Sequence, residues 1–174
     1  MTSRKRQTLI ILTALICVGV ADQVTKAVVM AKIPETVILS RQPPQFFRFT
    51  HQRNKALVGG LFTNYPRVAY VAPILATCVL LYLFRHLDPA SKLQNIAYGL
   101  IAGGAVGNLT DRIRFGSVTD FLQFHFYFIP FDFPWKYYPA FNVADSAICT
   151  GVFFLMISWW NVRPEDKISE EKAS

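Results

Sequence analysis

The sequence predicts an all-α membrane protein with four transmembrane helices and a small extramembrane β-sheet after the first helix. Of its 174 residues, 52% are hydrophobic and only 17% are charged, whereas soluble domains carry roughly a quarter charged residues. The charges also avoid four stretches, residues 7–21, 68–84, 93–110 and 146–162. Each stretch approaches the roughly 20 apolar residues that cross a bilayer. This pattern excludes a disordered chain and argues against a soluble globule.

The spans lie at about residues 8–31, 67–85, 93–111 and 140–162, within one domain of residues 1–174. The first long loop contains VIL at 37–39 and FFRFT at 46–50, which predict a strand pair on the membrane surface. Asp88 and Pro89 mark a short turn, and residues 112–139 are predicted as a second long loop. The polar tail, 163–174, is predicted to be a solvated, frayed end.

The amino terminus supports two interpretations. A basic cluster, Arg4-Lys5-Arg6, precedes an apolar run that ends in Gly-Val-Ala before Asp22, as in a cleavable signal peptide. The three later apolar stretches favour a retained first span. An even number of spans places both termini on one side, and the basic cluster favours the cytoplasmic side.

Net charge and cysteine content bear on two questions, whether the protein binds nucleic acid and whether it contains disulfides. The net charge of +7 comes with no basic helix or RNA-binding signature, so we expect no nucleic-acid partner. The three cysteines, Cys17, Cys78 and Cys149, form no CxxC pair and are odd in number. We therefore expect packing thiols buried among apolar residues rather than a disulfide framework.

Polar residues converge on one membrane face in the four-span layout. Ionisable residues within membrane segments are costly and are functional candidates by default. The residues that this layout gathers come from the ends of three spans and from both long loops: Asp22, Lys26, Asn54, Asn108, Asp111, Arg112, Asp120, Asn142 and Asp145.

Sequence spacing suggests roles for several of these residues. Asp22 and Lys26 are four apart and can form an ion pair on one helix face, for which a structural role is favoured. Asn142 and Asp145 are three apart, so both side chains can enter one cavity, although Asn142 is also a suitable helix cap. Asp145 is predicted about five residues into its helix, with no Lys or Arg within eight residues.

Two neighbouring carboxylates can share one proton. The ionised member can then take a proton from water while the other donates one to a carbonyl oxygen. A metal is not expected, because His51, His86 and His125 are scattered and HExxH is absent. The serine-hydrolase signature GxSxG is also absent.

Four sequence blocks carry a family resemblance. They are DQVTK at 22–26, GGAVGNLTDR at 103–112, GSVTDF at 116–121 and FNVADSAI at 141–148. In order and spacing they resemble the lipoprotein signal peptidase family, signal peptidase II of bacteria. The resemblance implies an inner-membrane aspartic peptidase with both termini cytoplasmic and its site near the periplasmic face. Its substrates would be precursors carrying diacylglyceryl on a cysteine, cleaved just before that cysteine.

The resemblance also implies residue roles. The catalytic dyad falls on Asp120 and Asp145, with Asn108, Arg112 and Asn142 lining the substrate site. Asn54 fits a substrate-binding block of the first loop, but Ala56 stands where the family usually has Gly. Supporting roles fall to Asp22, Lys26 and Asp111. We expect the protein to be a monomer and to need no cofactor. Its expected partners are lipid-modified precursor proteins and membrane phospholipid.

Two alternatives to a peptidase are compatible with intramembrane carboxylates. A small proton-coupled transporter or channel subunit also uses intramembrane carboxylates, but its site should lie near the midplane rather than at one face. A non-catalytic scaffold would leave the cost of burying Asp145 unexplained. Residues 121–141 contain eleven Phe, Tyr or Trp residues, which suggest either an interfacial flap beside the lipid substrate or an aromatic belt.

Overall fold

The computed structural model describes residues 2–35, 46–55, 75, 78–80, 82–134 and 136–160. In that part of the chain, helix α1 (Ser3–Lys32) is followed by strand β1 (Phe47–Asn54). Helix α2 (Lys92–Phe115), strand β2 (Val118–Phe124) and helix α3 (Val143–Trp160) follow. The protein is therefore mostly helical, with one small antiparallel sheet.

Helix α1 is polar on its buried side and apolar on its exposed side. Gln7, Asp22 and Lys26 are buried, together with three apolar residues, Ile11, Val18 and Val29. A row of large apolar side chains is exposed: Leu9, Leu12, Ile16, Val20, Val24 and Val28. An exposed apolar stripe of this length needs a nonpolar surrounding, which a bilayer provides.

Three of the six buried residues of α1 are apolar. The buried stripe is thus half polar, because Gln7, Asp22 and Lys26 make up the rest of it. This arrangement reverses that of a soluble amphipathic helix, in which the polar face is the exposed one.

Helices α1 and α3 are each long and apolar enough to cross a membrane by length and composition. Most residues of their apolar segments are exposed. Only 17% of the 18-residue apolar segment of α1 and 22% of that of α3 is buried. Of the predicted span 67–85, positions 75, 78–80 and 82–85 are described, and all of them are helical. The polar tail lies outside the described residues.

Helix α2 packs between α1 and α3. It begins at the cap Ser91, whose side chain accepts a hydrogen bond from the backbone N–H of Gln94, and it ends at Gly116 with φ of 67°. The helix runs four residues beyond its predicted end at 111, so Arg112 lies within its last turn. A Cβ at Gly103 would lie 2.8 Å from the backbone oxygen of Leu15, so glycine allows α1 to approach closely.

The sheet pairs β1 with β2 in antiparallel register, with Gln52 opposite Asp120 and Asn54 opposite Val118. The expected strand after the first helix is confirmed. The prediction that residues 112–139 form only a loop is wrong, because β2 lies there. Its β-branched and aromatic residues favour a strand. The predicted strand at 37–39 lies outside the described residues.

An apolar core lies about three helical turns before Asp22 on α1. It contains Ile11 of α1, Tyr98 and Ile101 of α2 and Leu155 of α3. The expectation of buried cysteines is wrong, since Cys17, Cys78 and Cys149 are all exposed. Lipid is as apolar as a protein interior, so a helix in a bilayer has no need to bury such side chains.

Candidate active site

Asp145 lies at the start of helix α3, where Asn142 caps the helix. The Asn142 side-chain oxygen accepts a 2.9 Å hydrogen bond from the backbone N–H of Asp145, and the Asp145 carboxylate accepts a 3.2 Å bond from the backbone N–H of Asn142. This reciprocal pair has the form of a capping box. Because the helix begins at Val143, Asp145 is its third residue, whereas the sequence predicted a position about five residues into the helix.

Asp120 is presented by strand β2 and is buried. Its Oδ2 accepts a 2.9 Å bond from the amide of Asn54, at the end of the neighbouring strand β1. Its Oδ1 accepts a 2.8 Å bond from the amide of Asn142. The sheet therefore delivers Asp120 to the beginning of helix α3.

Asn142 connects the two aspartates directly. Its side-chain amide donates to Asp120 and its backbone N–H donates to Asp145. Asn108 of α2 completes the arrangement, because its amide donates a 2.8 Å bond to Oδ1 of Asp145. Each of the four carboxylate oxygens of Asp120 and Asp145 thus accepts a hydrogen bond from one of three asparagines.

A second group of charged residues lies behind the aspartates. The ammonium of Lys26 lies 2.8 Å from Asp22 and 3.5 Å from Asp111, and all three residues are buried. Asp22 and Lys26 thus form the ion pair that their spacing allows. Lys26 also donates a 3.0 Å bond to Oδ1 of Asn108, which joins this group to Asp145.

The two carboxylates behind the site also hold backbone groups. Asp22 accepts a 3.0 Å bond from the backbone N–H of Ala144, in the first turn of α3. Asp111 accepts a 2.9 Å bond from the backbone N–H of Thr119, immediately before Asp120. The two segments that carry Asp120 and Asp145 are therefore anchored to buried acids on α1 and α2.

Arg112 contributes positive charge to the site. Its guanidinium interacts electrostatically with Asp145, Asp120 and Asp111. Because Arg112 lies in the last turn of α2, its charge is also favourable at that helix terminus.

Burial raises the pKa of Asp120 from its ordinary 3.8 to about 7, and the nearby charge of Asp145 acts in the same direction. The hydrogen bonds from Asn54 and Asn142 and the charge of Lys26 oppose the increase. Asp120 therefore exchanges a proton near neutral pH, as a general acid or base must.

Three further residues of this network were not predicted from the sequence. Gln23 donates to Asp111 at 3.1 Å and to Asp22 at 3.2 Å. Arg53 donates a 2.9 Å bond to the Thr119 hydroxyl. Gln23 could have been predicted as a site residue, because it lies within the DQVTK block beside Asp22. The contact between Arg53 and Thr119 could not, because it depends on the register of the two strands.

All nine predicted site residues meet in this part of the molecule. Within the described residues, no group of three or more His, Cys, Asp or Glu side chains is arranged to hold a metal ion. Two neighbouring carboxylates, of which Asp120 has a raised pKa, are held between apolar helices and a small sheet. This arrangement defines the class of a membrane hydrolase that uses aspartates.

Comparisons with known proteins identify the family. The model of the family Signal peptidase (SPase) II matches residues 13–161. The lipoprotein signal peptidase of Syntrophotalea carbinolica is 38% identical over 157 residues, covering 87% of this chain and 91% of that protein. That of Maridesulfovibrio salexigens is 38% identical over 151 residues, covering 81% and 88%.

Solved structures agree with the family match. A bacterial membrane enzyme determined by the in meso method at 2.3 Å superposes with a TM-score of 0.66 and 28% identity, covering 86% of this chain and 87% of that one. A second, determined at 1.9 Å, gives 0.64 and 25%, covering 88% and 94%. The chain belongs to the signal peptidase II family. The expected peptidase is thereby confirmed, and the transporter and scaffold alternatives are set aside.

Proposed function

We propose that this protein cleaves diacylglyceryl-modified prolipoproteins immediately before the lipid-bearing cysteine, using Asp120 and Asp145 as its catalytic pair. The observation that carries the proposal is the position of Asn142, which hydrogen-bonds both carboxylates, at 2.8 Å to Asp120 and 3.2 Å to Asp145. One short residue that bridges two acids keeps them close enough to act on the same water and peptide bond.

The two aspartates have different surroundings, which suggests different roles. Asp145 lies in the first turn of α3, where the helix dipole favours a negative charge. Asp120 is more deeply buried and has a pKa of about 7, so it holds a proton more readily. In the proposed reaction, ionised Asp145 is the general base and protonated Asp120 is the general acid.

The proposed reaction needs only water and these groups. Asp145 takes a proton from water as the water oxygen attacks the scissile carbonyl carbon, and Asp120 donates its proton to the carbonyl oxygen. The resulting gem-diol intermediate collapses when the carbon–nitrogen bond breaks. Asp145 gives the proton it took from water to the cysteine nitrogen, and Asp120 takes a proton back from one hydroxyl group of the intermediate, which restores both aspartates. The products are the free signal peptide and a protein that begins with the lipidated cysteine.

The remaining site residues support this chemistry. The amides of Asn54, Asn108 and Asn142 already donate to the aspartates, so we assign them to orienting the pair beside the substrate. Arg112 carries positive charge next to both acids, and we assign it to binding the substrate backbone. Asp22, Lys26 and Asp111 support the segments that carry the pair.

The proposal includes four spans in the bacterial inner membrane, with both termini cytoplasmic and the site near the periplasmic face. Two helices of sufficient length and apolarity, and helical positions within 75–85, support that layout. The enzyme is proposed to act as a monomer in contact with phospholipid. A reporter fused after residue 90 tests the turn between the second and third spans, and one fused after residue 160 tests the carboxyl end. Both reporters should be located in the cytoplasm.

The reaction can be tested with purified protein in detergent and a diacylglyceryl-modified precursor. We expect two products, and mass spectrometry should place the lipidated cysteine at the new amino terminus. A precursor in which serine replaces that cysteine, and which therefore carries no lipid, is the matched control and should remain uncut. Equal cleavage of both precursors, or cleavage at another bond, would contradict the proposed specificity.

A further inference from the structure

Two arginines lie against one aromatic ring at the carboxyl end of helix α2. The guanidinium carbon of Arg53, on strand β1, is 4.7 Å from the centre of the Phe115 ring, and that of Arg114 is also 4.7 Å from it. The two guanidinium groups are therefore no farther apart than twice that distance, although their charges repel each other. This arginine cluster, formed by Arg53, Phe115 and Arg114, is open at the surface, because Phe115 is 38% exposed and Arg114 is also exposed.

The hydrogen bonds of the two arginines do not neutralise their charges. Arg53 donates to the Thr119 hydroxyl at 2.9 Å and to the sulfur of Met30, a weak acceptor, at 3.2 Å. Arg114 donates to the side-chain oxygen of Gln23 at 3.3 Å. All these partners are neutral, and among the residues that the structure describes neither guanidinium forms an ion pair. Because a guanidinium has five N–H donors, each arginine keeps donors that an anion can use.

Helices α1 and α2 end on the same face of the molecule. A Cβ at Gly103 would lie 2.8 Å from the backbone oxygen of Leu15, and a Cβ at Gly107 would lie 2.5 Å from the carboxylate of Asp22. Later residues of α2 thus approach later residues of α1, so the two helices run in the same direction. Lys32 lies in the last turn of α1 and adds positive charge to the face that carries the arginine cluster.

The arginine cluster lies where the exposed apolar surface of these helices ends. On α1 that surface includes Val24 and Val28, and on α2 it includes Leu109 and Ile113, which is 76% exposed. Arg114 follows Ile113 directly. In a membrane protein, exposed apolar side chains face hydrocarbon, and basic residues at the ends of the helices reach the lipid headgroups. The cluster is therefore placed at the depth of the headgroup phosphates.

We propose that the arginine cluster binds the phosphate group of an anionic phospholipid. A lipid phosphate is negatively charged and can accept two parallel hydrogen bonds from a guanidinium, so it offsets the repulsion between Arg53 and Arg114. A zwitterionic lipid also carries a phosphate, but its ammonium group is repelled by the two arginines. Because Arg53 also bonds Thr119, the residue before Asp120, the bound lipid holds that strand at the membrane surface. The inference does not depend on the proposed cleavage reaction, since it can be tested without a substrate.

The test measures lipid binding to the purified full-length protein in detergent by native mass spectrometry. Phosphatidylglycerol is titrated, and the apparent Kd of the first bound lipid is compared between the natural protein, Arg53→Gln and Arg114→Gln. We expect each substitution to raise that Kd about fivefold, the usual effect of one basic residue near an anionic lipid surface. Phosphatidylcholine should bind the natural protein more weakly than phosphatidylglycerol does. Inorganic phosphate at the same concentration as the lipid should not displace it.

Arg85→Gln is the matched control, because Arg85 is exposed on the helical segment before α2, away from the arginine cluster. It removes the same charge and should keep the natural Kd. Arg114→Gln keeps the test decisive if Arg53→Gln fails to fold, since Arg114 is exposed. The inference is overturned if Arg114→Gln keeps the natural Kd, if Arg85→Gln raises it equally, or if phosphatidylcholine binds as tightly as phosphatidylglycerol. Displacement of the lipid by inorganic phosphate would assign the cluster to free phosphate and would also overturn it.

Discussion

The ammonium of Lys26 lies 3.0 Å from Oδ1 of Asn108, and both residues are buried. An ammonium group has only donors, so the Asn108 atom that faces it must be the carbonyl oxygen. The amide nitrogen of Asn108 is thereby turned toward Asp145, to which it donates at 2.8 Å. Lys26 thus fixes the orientation of the hydrogen bond that Asn108 donates to Asp145, a member of the proposed catalytic pair.

Lys26→Met should therefore lower kcat by about tenfold to 100-fold, part of the usual contribution of general acid–base catalysis. The charge of Lys26 lowers the pKa of Asp120, so its removal should also move the alkaline limb of the pH–rate profile to higher pH. Steady-state rates over a range of pH measure both effects. A purely structural role for Lys26 would not move the limb.

Lys26→Met also leaves the buried Asp22 without the cation it pairs with, which costs about 3–5 kcal/mol. The double variant Asp22→Asn with Lys26→Met removes one acid together with the base and should fold better. Lys136→Met is a suitable control, because Lys136 forms an i,i+4 ion pair of 2.9 Å with exposed Asp132 away from the site. An unchanged pH–rate profile in the double variant would contradict the role of Lys26.

Gly107→Ala should destabilise the protein by about 1–3 kcal/mol, the usual cost of overpacking. A Cβ at Gly107 would lie 2.5 Å from Oδ2 of Asp22, and Asp22 is held by Lys26 and the backbone of Ala144. Thermal unfolding in detergent measures the loss. Gly19→Ala is the control, since a Cβ there would meet nothing within 4 Å. Equal unfolding temperatures for the two variants would count against close packing at Asp22.

The rate of cleavage should fall as pH rises through about 7, because the proposed general acid Asp120 has a pKa of about 7 and loses its proton there. Initial rates on a lipidated precursor, measured from acidic to alkaline pH, give the midpoint. A rate that stays constant through mildly alkaline pH would be incompatible with Asp120 as the acid.

The raised pKa of Asp120 should also make the stability of the folded protein depend on pH. The pKa of Asp120 is raised from 3.8 to about 7 on folding, so its contribution to stability is complete below the lower value and is lost as pH rises through the upper one. The unfolding temperature of the natural protein should decline over that range relative to Asp120→Asn, which cannot ionise. Parallel curves for the two proteins would contradict the shift.

Asn54→Ala should move the alkaline limb to higher pH. The amide of Asn54 donates to Oδ2 of Asp120 at 2.9 Å, and this bond lowers the pKa of Asp120. Gln52→Ala on the same strand is the control, because the Gln52 amide donates to the Thr50 hydroxyl instead. A limb that moves equally in both variants would show that the strand, rather than the Asn54 amide, is responsible.

The sequence predicts which residues meet at the site better than it predicts how they meet. Helical spacing is sufficient to pair Asp22 with Lys26, and the predicted four-span layout places both on the same face as Asn108 and Asp145. Asp120 has no such local signal. Its place in the pair follows from the family motif, because strand pairing with β1, which is nonlocal, determines where it lies.

Most differences between the predicted and the observed structure concern the residues at which helices and strands begin and end. Apolar patterning places the last span at 140–162, whereas capping by Asn142 starts α3 at Val143 and puts Asp145 in its first turn. Residues 118–124 contain the β-branched and aromatic residues of a strand, yet they are too short to reveal their partner. The exposure of Cys17 was also not predicted, because the usual rule for buried thiols assumes water outside.

The most direct measurement is the single-turnover cleavage of a lipidated precursor by Asp120→Asn and Asp145→Asn, each confirmed as folded by thermal unfolding. Asp132→Asn is the control, since Asp132 is exposed and its partner Lys136 lies outside the site. Both site variants should lose at least about 100-fold in rate, because each removes a general acid or base, while the control cleaves normally. Cleavage at the natural rate by either folded site variant would contradict the assignment of Asp120 and Asp145 as the catalytic pair.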